Sequence, residues 1–262
     1  MINIYMKRLT RKDLPAYAKI QKTVNLERLR QYCIDNGYTD YESFNDINYS
    51  SNSNHKAFVV ANTYCKDAFF KEENAPSLEG EKYKQLYLTD IDPSKIVNTE
   101  ERLNETHSSI FIRTRRLDPT SKDYIPEADE HNYTLKNEHV KDIFAEILDM
   151  FKSPVTRVRL AAIMPGFTIK PHVDYDPSYV TRYHIPVFTN DDVVFGSRTK
   201  QGEITYQMPA DGSIYFFNSG MVHWVSNNGT EPRLHLIVDT NGQEDLDLEN
   251  ELTPAQNPDY SI

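Results

Sequence analysis

Val155-Thr-Arg-Val-Arg-Leu-Ala-Ala-Ile-Met164, closed by Pro165-Gly166, opens the stretch that decides the fold. Short apolar, β-branched and aromatic runs follow at Thr181–Phe188, Asp192–Gly196, Glu203–Met208, Ser213–Phe217, Val222–Ser226 and Arg233–Asp239. Asn190-Asp-Asp192, Gln201-Gly202, Ala210-Asp-Gly212 and Asn227-Asn-Gly229 separate them. Each run has strand length, and Gly, Asn and Asp supply the reversals that antiparallel strands need. Seven or eight such strands predict a two-sheet β-sandwich or jelly roll.

Upstream the pattern is mixed. Asn25 can cap a helix running through Leu26, Leu29, Arg30 and Cys33, with Gly37 as its left-handed stop, and this helix is expected to be a surface or partly packed one. Asn45–Asn54 reads as a loop, Lys56–Asn62 as the start of a helix or a strand, and Gln85–Thr89 and Ser109–Arg113 as strands. From Asn137, the apolar residues Val140, Ile143, Phe144, Ile147, Leu148 and Phe151 recur at helical steps up to Pro154. That stripe predicts a helix backing a sheet. Three regions result: an α/β region over 1–153, integrated with the core because no flexible linker divides the halves; a β core over 154–242; and an acidic tail over 243–262, read as surface. The fold class is mainly β with flanking helices.

The chemistry sits in the β region. His172 and Asp174 are two residues apart in Pro171-His172-Val173-Asp174, so on extended backbone both side chains point the same way. His223 lies on a later strand, past the turn at Asn218-Ser-Gly220. Two imidazoles and one carboxylate form the facial set that holds Fe(II) and leaves positions open. Arg233 follows after an interval about long enough to leave one strand, turn, and return on its neighbour. Its planar fork there suits a carboxylate. Arg182 and His184 form another period-two pair, with an inward reading as donors to an acidic cosubstrate, against a surface arginine and a hydrogen-bonded core histidine. His235 shares the parity of Arg233. Trp224 and Tyr183 point away from the site and are expected in the core. His55, His107, His131 and His139 read as surface residues.

Composition narrows the class. The chain has 262 residues and a formal charge of -10, from 29 basic and 39 acidic side chains, which argues against nucleic acid as a partner. The cluster Arg113-Thr-Arg115-Arg116 reads as a solvated strand end. Cys33 and Cys65 are the only cysteines, which fits a reducing compartment. The start of the chain has no export-signal core and no segment reaches membrane-spanning length, so a cytoplasmic protein without membrane partners is expected. Oligomeric state is not set by the sequence.

Arg157 through His172, Arg182-Tyr-His184-Ile-Pro-Val187, Asp211 through Asn218, His223, Arg233 through Asp239, and Glu251 through Gln256 together resemble the aspartyl/asparaginyl β-hydroxylase family, which includes bacterial cis-proline hydroxylases. The resemblance covers roughly residues 154 to 256. It implies a double-stranded β-helix (jelly roll, cupin-like) with Fe(II) on His172 and His223, and 2-oxoglutarate held by Arg233, Arg182 and His184. Animal members lack the metal carboxylate, whereas Asp174 is present here. Where those enzymes place a serine, this chain has Ala161. The implied activity is hydroxylation, by O2, of an amino acid that is free or peptidyl, with succinate and CO2 as co-products. Arg113, Arg115, Arg116, Arg157 and Arg159 are candidate partners for a substrate carboxylate. A cupin-type metalloenzyme that does not use 2-oxoglutarate would tolerate loss of Arg233, and a non-catalytic jelly-roll binding protein would fail to bind iron.

Overall fold

The structure is a computed structural model, and it describes residues 8–46, 82–92, 94 and 129–247. Lys56–Asn62, Ser109–Arg113, the Arg113 to Arg116 cluster, Cys65, His55, His107 and Glu251–Gln256 lie outside those residues.

Thirteen strands and two helices make up the described regular elements, apart from short 3-10 turns. In chain order they are β1 (Tyr17–Thr23), α1 (Leu26–Asp35), β2 (Asn45–Asp46), β3 (Tyr83–Tyr87), β4 (Thr89–Asp90), β5 (Leu135–Lys136) and α2 (Asp142–Asp149). Then come β6 (Val155–Ile163), β7 (Phe167–His172), β8 (Thr181–Phe188), β9 (Val193–Thr199), β10 (Gly202–Tyr206), β11 (Ser213–Phe217), β12 (His223–Asn227) and β13 (Arg233–Thr240). A seven-stranded sheet has the order β1-β11-β8-β13-β6-β3-β2, and a four-stranded sheet has the order β10-β9-β12-β7. β4 and β5 form a separate two-stranded pair.

From β6 onward the chain alternates between the two large sheets, except at the β9–β10 hairpin. All their pairings are antiparallel. This winding is the double-stranded β-helix. The expected turns are in place: Gly166, where β6 crosses to β7, and Gly202, in the β9–β10 hairpin, have φ of 71° and 115°, where an L side chain would be strained.

Strand parity divides β13 into two chemistries. Leu234, Leu236 and Val238 are fully buried on the outer side of the large sheet, packed with Leu29, Cys33, Phe144, Ile147 and Leu148 of the two helices. Burying each such aliphatic side chain contributes about 1.5–3 kcal/mol. Arg233, His235 and Asp239, also buried, face between the sheets instead. There they share the interior with a second cluster that includes Ile163, Phe195, Phe217 and Val225. An apolar outer layer thus holds the sheet while its inner face carries charge.

α1 begins where expected: the Asn25 side chain accepts from the Arg28 N–H at 3.0 Å. Its Leu29 and Cys33 are fully buried while its other residues are exposed or half-buried, so it is the partly packed helix expected. α2 is shorter than the predicted span. Asn137 instead anchors a turn, donating from Nδ2 to the Tyr87 carbonyl at 2.9 Å and accepting from the His139 N–H at 3.1 Å. The N-terminal region adds β1 beside β11, and β3 beside β6. β1 was not predicted; its alternation is masked by lysines at 19 and 22. The acidic segment after β13 is partly internal. Asp245 is 1% exposed and accepts from the backbone N–H groups of Lys152 and Ser153, so it is not surface tail.

Candidate active site

β7 and β12 are neighbours in the small sheet, and their register sets His172 opposite His223 with ring centroids 4.2 Å apart. β7 ends at His172, and Asp174 follows in extended chain held by its N–H to the Ser219 carbonyl at 2.8 Å. The structure therefore brings His172, Asp174 and His223 together, with one ligand atom from each within 4.8 Å of the others. His172 Nδ1 contacts the Lys170 carbonyl at 2.8 Å and His223 Nδ1 contacts the Met221 carbonyl at 2.9 Å. A carbonyl only accepts, so each Nδ1 carries a proton, and Nε2 is the nitrogen left to face a metal.

Asp174 is held as an anion. Burial would raise its carboxyl, but the adjacent Arg182 guanidinium, helped by the two imidazoles, holds it well below the usual carboxylate range. Burial lowers His223 to about 3, with His172 adding to the effect and Asp174 opposing it. Side-chain exposures of 24% for His172 and 15% for Asp174, against 6% for His223, put the open side of the cluster at β7.

Arg182 lies elsewhere than the free position expected of a cosubstrate donor. Its Nη1 donates to Asp174 Oδ2, its Nε to Asp239 Oδ1 at 2.8 Å, and its Nη2 to both oxygens of Glu130 at 3.2 Å. All three edges of the guanidinium are taken by carboxylates. Arg159 donates to Asp239 at 2.8 Å, and Arg157 to Glu130 at 2.7 Å and to the Tyr87 hydroxyl at 2.6 Å. Of the five arginines considered for a substrate carboxylate, the two among the described residues, Arg157 and Arg159, are thus already ion-paired within the protein. Asp239 could have been found from its parity with Arg233. Glu130 gave no signal, since it enters from a short 3-10 turn at Glu130–Asn132.

Arg233 is in the opposite condition. It is 2% exposed, donates from Nη1 to the Ala161 carbonyl at 3.2 Å, and leaves its Nε without a partner. The guanidinium sits 5.5 Å from the Phe195 ring centroid. Among the described residues no carboxylate pairs with it, and burial lowers it to about 10. His184 and His235 face the same interior with Nδ1 atoms 3.2 Å apart and both Nε2 atoms unpartnered. Burial and the nearby Arg233 charge push both imidazoles well below their ordinary value, so both are neutral. Two neutral donors or acceptors beside an unpaired buried cation fit an anionic ligand.

Tyr183 is fully buried in the outer core, as expected, whereas Trp224 is only half buried on the outer face of the small sheet, flat against Gly196. His131 and His139 are partnered rather than free at the surface, on the Tyr179 carbonyl and the Tyr38 hydroxyl respectively.

Residues 126–242 match the aspartyl/asparaginyl beta-hydroxylase family. An uncharacterized protein of Acanthamoeba polyphaga mimivirus is 33% identical over 110 residues, which are 41% of this chain and 36% of that protein. The chain therefore matches only about a third of that relative's length. Among solved structures, a 2OG-Fe(II) oxygenase family oxidoreductase from Burkholderia pseudomallei is 17% identical over 40% of this chain and 55% of its own, with a TM-score of 0.31. A cupin domain from Bordetella pertussis is 18% identical over 35% of this chain and 88% of its own, with a TM-score of 0.27. The residues that match the aspartyl/asparaginyl beta-hydroxylase model contain the whole His172, Asp174 and His223 cluster together with Arg182, His184 and Arg233, so the similarity to that family covers the site itself.

Proposed function

We propose that the protein is an Fe(II)- and 2-oxoglutarate-dependent dioxygenase that hydroxylates an amino acid, free or within a peptide. The observation that carries this reading is a three-ligand cluster sharing one sheet-lined interior with Arg233, a buried guanidinium that lacks a carboxylate among the described residues. In this reading His172, Asp174 and His223 hold the iron, and Arg233 takes the distal carboxylate of the cosubstrate, with His184 beside it.

Iron and 2-oxoglutarate, when bound, supply O2-dependent oxidation of a C–H bond coupled to decarboxylation of the diacid to succinate and CO2. The chain supplies position and charge. The Lys170 and Met221 carbonyls fix the ring faces of His172 and His223, so two neutral lone pairs are presented without reorganisation. Arg182, itself held by Asp239 and Glu130, keeps Asp174 ionised and orients it. Phe195 and Phe217 line the interior and exclude water, which strengthens the attraction between Arg233 and an acid. Substrate, O2 and cosubstrate are the partners of this reading. A reducing, cytoplasmic setting suits Cys33, a free thiol pushed up to about 12 by burial.

The test is succinate formation after anaerobic iron loading and exposure to oxygen, with a panel of amino acids and short peptides. Stimulation by one panel member identifies the substrate class. His172→Ala should abolish iron-dependent turnover, and Arg233→Ala should chiefly raise the 2-oxoglutarate requirement. Equal activity in both variants contradicts the assignment, and indifference to Arg233→Ala alone points to a metalloenzyme without 2-oxoglutarate.

A further inference from the structure

We propose that Tyr83 and Gln85 of β3 complete the pocket for the distal carboxylate of the 2-oxoglutarate cosubstrate, acting as neutral hydrogen-bonding partners beside Arg233. The inference rests on the cosubstrate reading above and adds residues from the N-terminal half, outside the 126–242 family match.

The sheet order directs attention there. Arg233 reaches across β6, since its Nη1 donates to the Ala161 carbonyl. The β6 residues that face the interior at this level, Ala161 and Ile163, carry no polar side-chain atoms. The next strand is β3, with Gln85 opposite Ala161 and Tyr83 opposite Ile163. Tyr83 and Gln85 are therefore the next polar side chains on the wall toward which the guanidinium leans. Tyr83 packs against the interior cluster that contains Ile163 and Phe195, and it lies near enough to Arg233 to offset part of the burial effect on that charge.

Gln85 makes the case for a missing ligand. It is 4% exposed, its Nε2 donates to the Tyr83 hydroxyl, and its Oε1 is buried without a partner. An orphaned buried amide oxygen costs roughly 1–3 kcal/mol. The two ends of the amide are isosteric. Turned over, Oε1 accepts from the Tyr83 hydroxyl, and an N–H replaces the orphaned oxygen. That N–H needs an acceptor, and a carboxylate shared with Arg233 meets the needs of both groups. A point charge alone holds any anion, whereas a fork combined with a fixed amide favours a carboxylate at one depth.

Calorimetric titration of the Mn(II)-loaded protein tests this without turnover. The ligands are 2-oxoglutarate and 2-oxobutanoate, a 2-oxo acid without the distal carboxylate. Gln85→Leu should weaken 2-oxoglutarate binding by about tenfold or more, with 2-oxobutanoate changed less than about twofold. Tyr83→Phe, a milder change, should act in the same direction. The discrimination between the two acids is the readout that general damage to the fold does not move. Unchanged discrimination in both variants, or equal losses for both acids, overturns the proposal. If Arg233→Met abolishes discrimination while the two β3 variants retain it, this inference fails alone. A wild-type protein that does not bind 2-oxoglutarate removes the parent reading and this one together.

Discussion

Replacing Arg233 with methionine should cost the metal-free, ligand-free protein almost nothing. Burial lowers this guanidinium from 12.5 to about 10, which at about 1.4 kcal/mol per pH unit corresponds to a cost of roughly 3 kcal/mol for keeping the charge. One hydrogen bond to the Ala161 carbonyl and the Phe195 ring return about 1–1.5 kcal/mol each. Arg233→Met removes all of these terms and keeps most of the volume, so the net change should fall between zero and about 1 kcal/mol of stabilisation. Arg182→Met is the contrasting case. It leaves Asp174, Asp239 and Glu130 facing one another without their shared cation, and breaking a buried pair of this kind costs about 3–5 kcal/mol. Urea unfolding of both variants measures the difference, followed by the same experiment with Mn(II) and 2-oxoglutarate. The ligand should stabilise wild type and leave Arg233→Met unmoved. If Arg233→Met is as damaging as Arg182→Met without ligand, then Arg233 already has an anionic partner inside the protein and does not serve an external acid.

Three further outcomes are expected. Arg182→Lys should lower Mn(II) affinity by about 10–100-fold although no ligand atom is removed, because a compact ammonium lacks the planar fork whose three nitrogens reach Asp174, Asp239 and Glu130 separately, and Asp174 loses its orientation; unchanged affinity by calorimetry counts against a positioning role. Metal-free protein should lose stability as pH falls below about 6.5, since His184 and His235 are held well below that value among Arg159, Arg182, Arg233 and Asp239 while the unfolded chain takes up protons. Stability then rises with pH through that window, by up to about 3 kcal/mol per pH unit for the two groups, and a flat profile in pH-dependent urea unfolding refutes it. Gly196→Ala should cost about 1–3 kcal/mol, because the added Cβ falls inside the Trp224 indole; a second change, Trp224→Leu, should recover part of the loss in thermal unfolding.

Much of the fold was legible because β-strands announce themselves locally. From Val155 to Asp239 short apolar, β-branched and aromatic runs of strand length stand between turn residues, and that pattern places the strands. Even the meeting of His172, Asp174 and His223 could be anticipated. His172 and Asp174 are neighbours on extended backbone, which fixes their common side whatever the rest of the chain does. The inward parity of Arg233 and His235 follows from the same rule.

Partnership was not legible. Arg182 and Arg233 look alike as sequence, each an arginine two residues from an inward histidine, yet one is surrounded by three carboxylates and the other by none among the described residues. Glu130 reaches Arg182 and Arg157 from a turn in a segment with no periodicity, and Gln85 stands opposite Ala161 only because β3 joins the large sheet at its β6 edge. Local backbone geometry is written in neighbouring residues, whereas the balance of buried charge depends on which distant strands are adjacent. The sequence by itself therefore determined most strands of the β core, their inward faces and the His, Asp and His side chains that meet there. Tertiary structure decided which guanidinium is left without an anion, because an electrostatic partner is a matter of distance in space and not of separation along the chain.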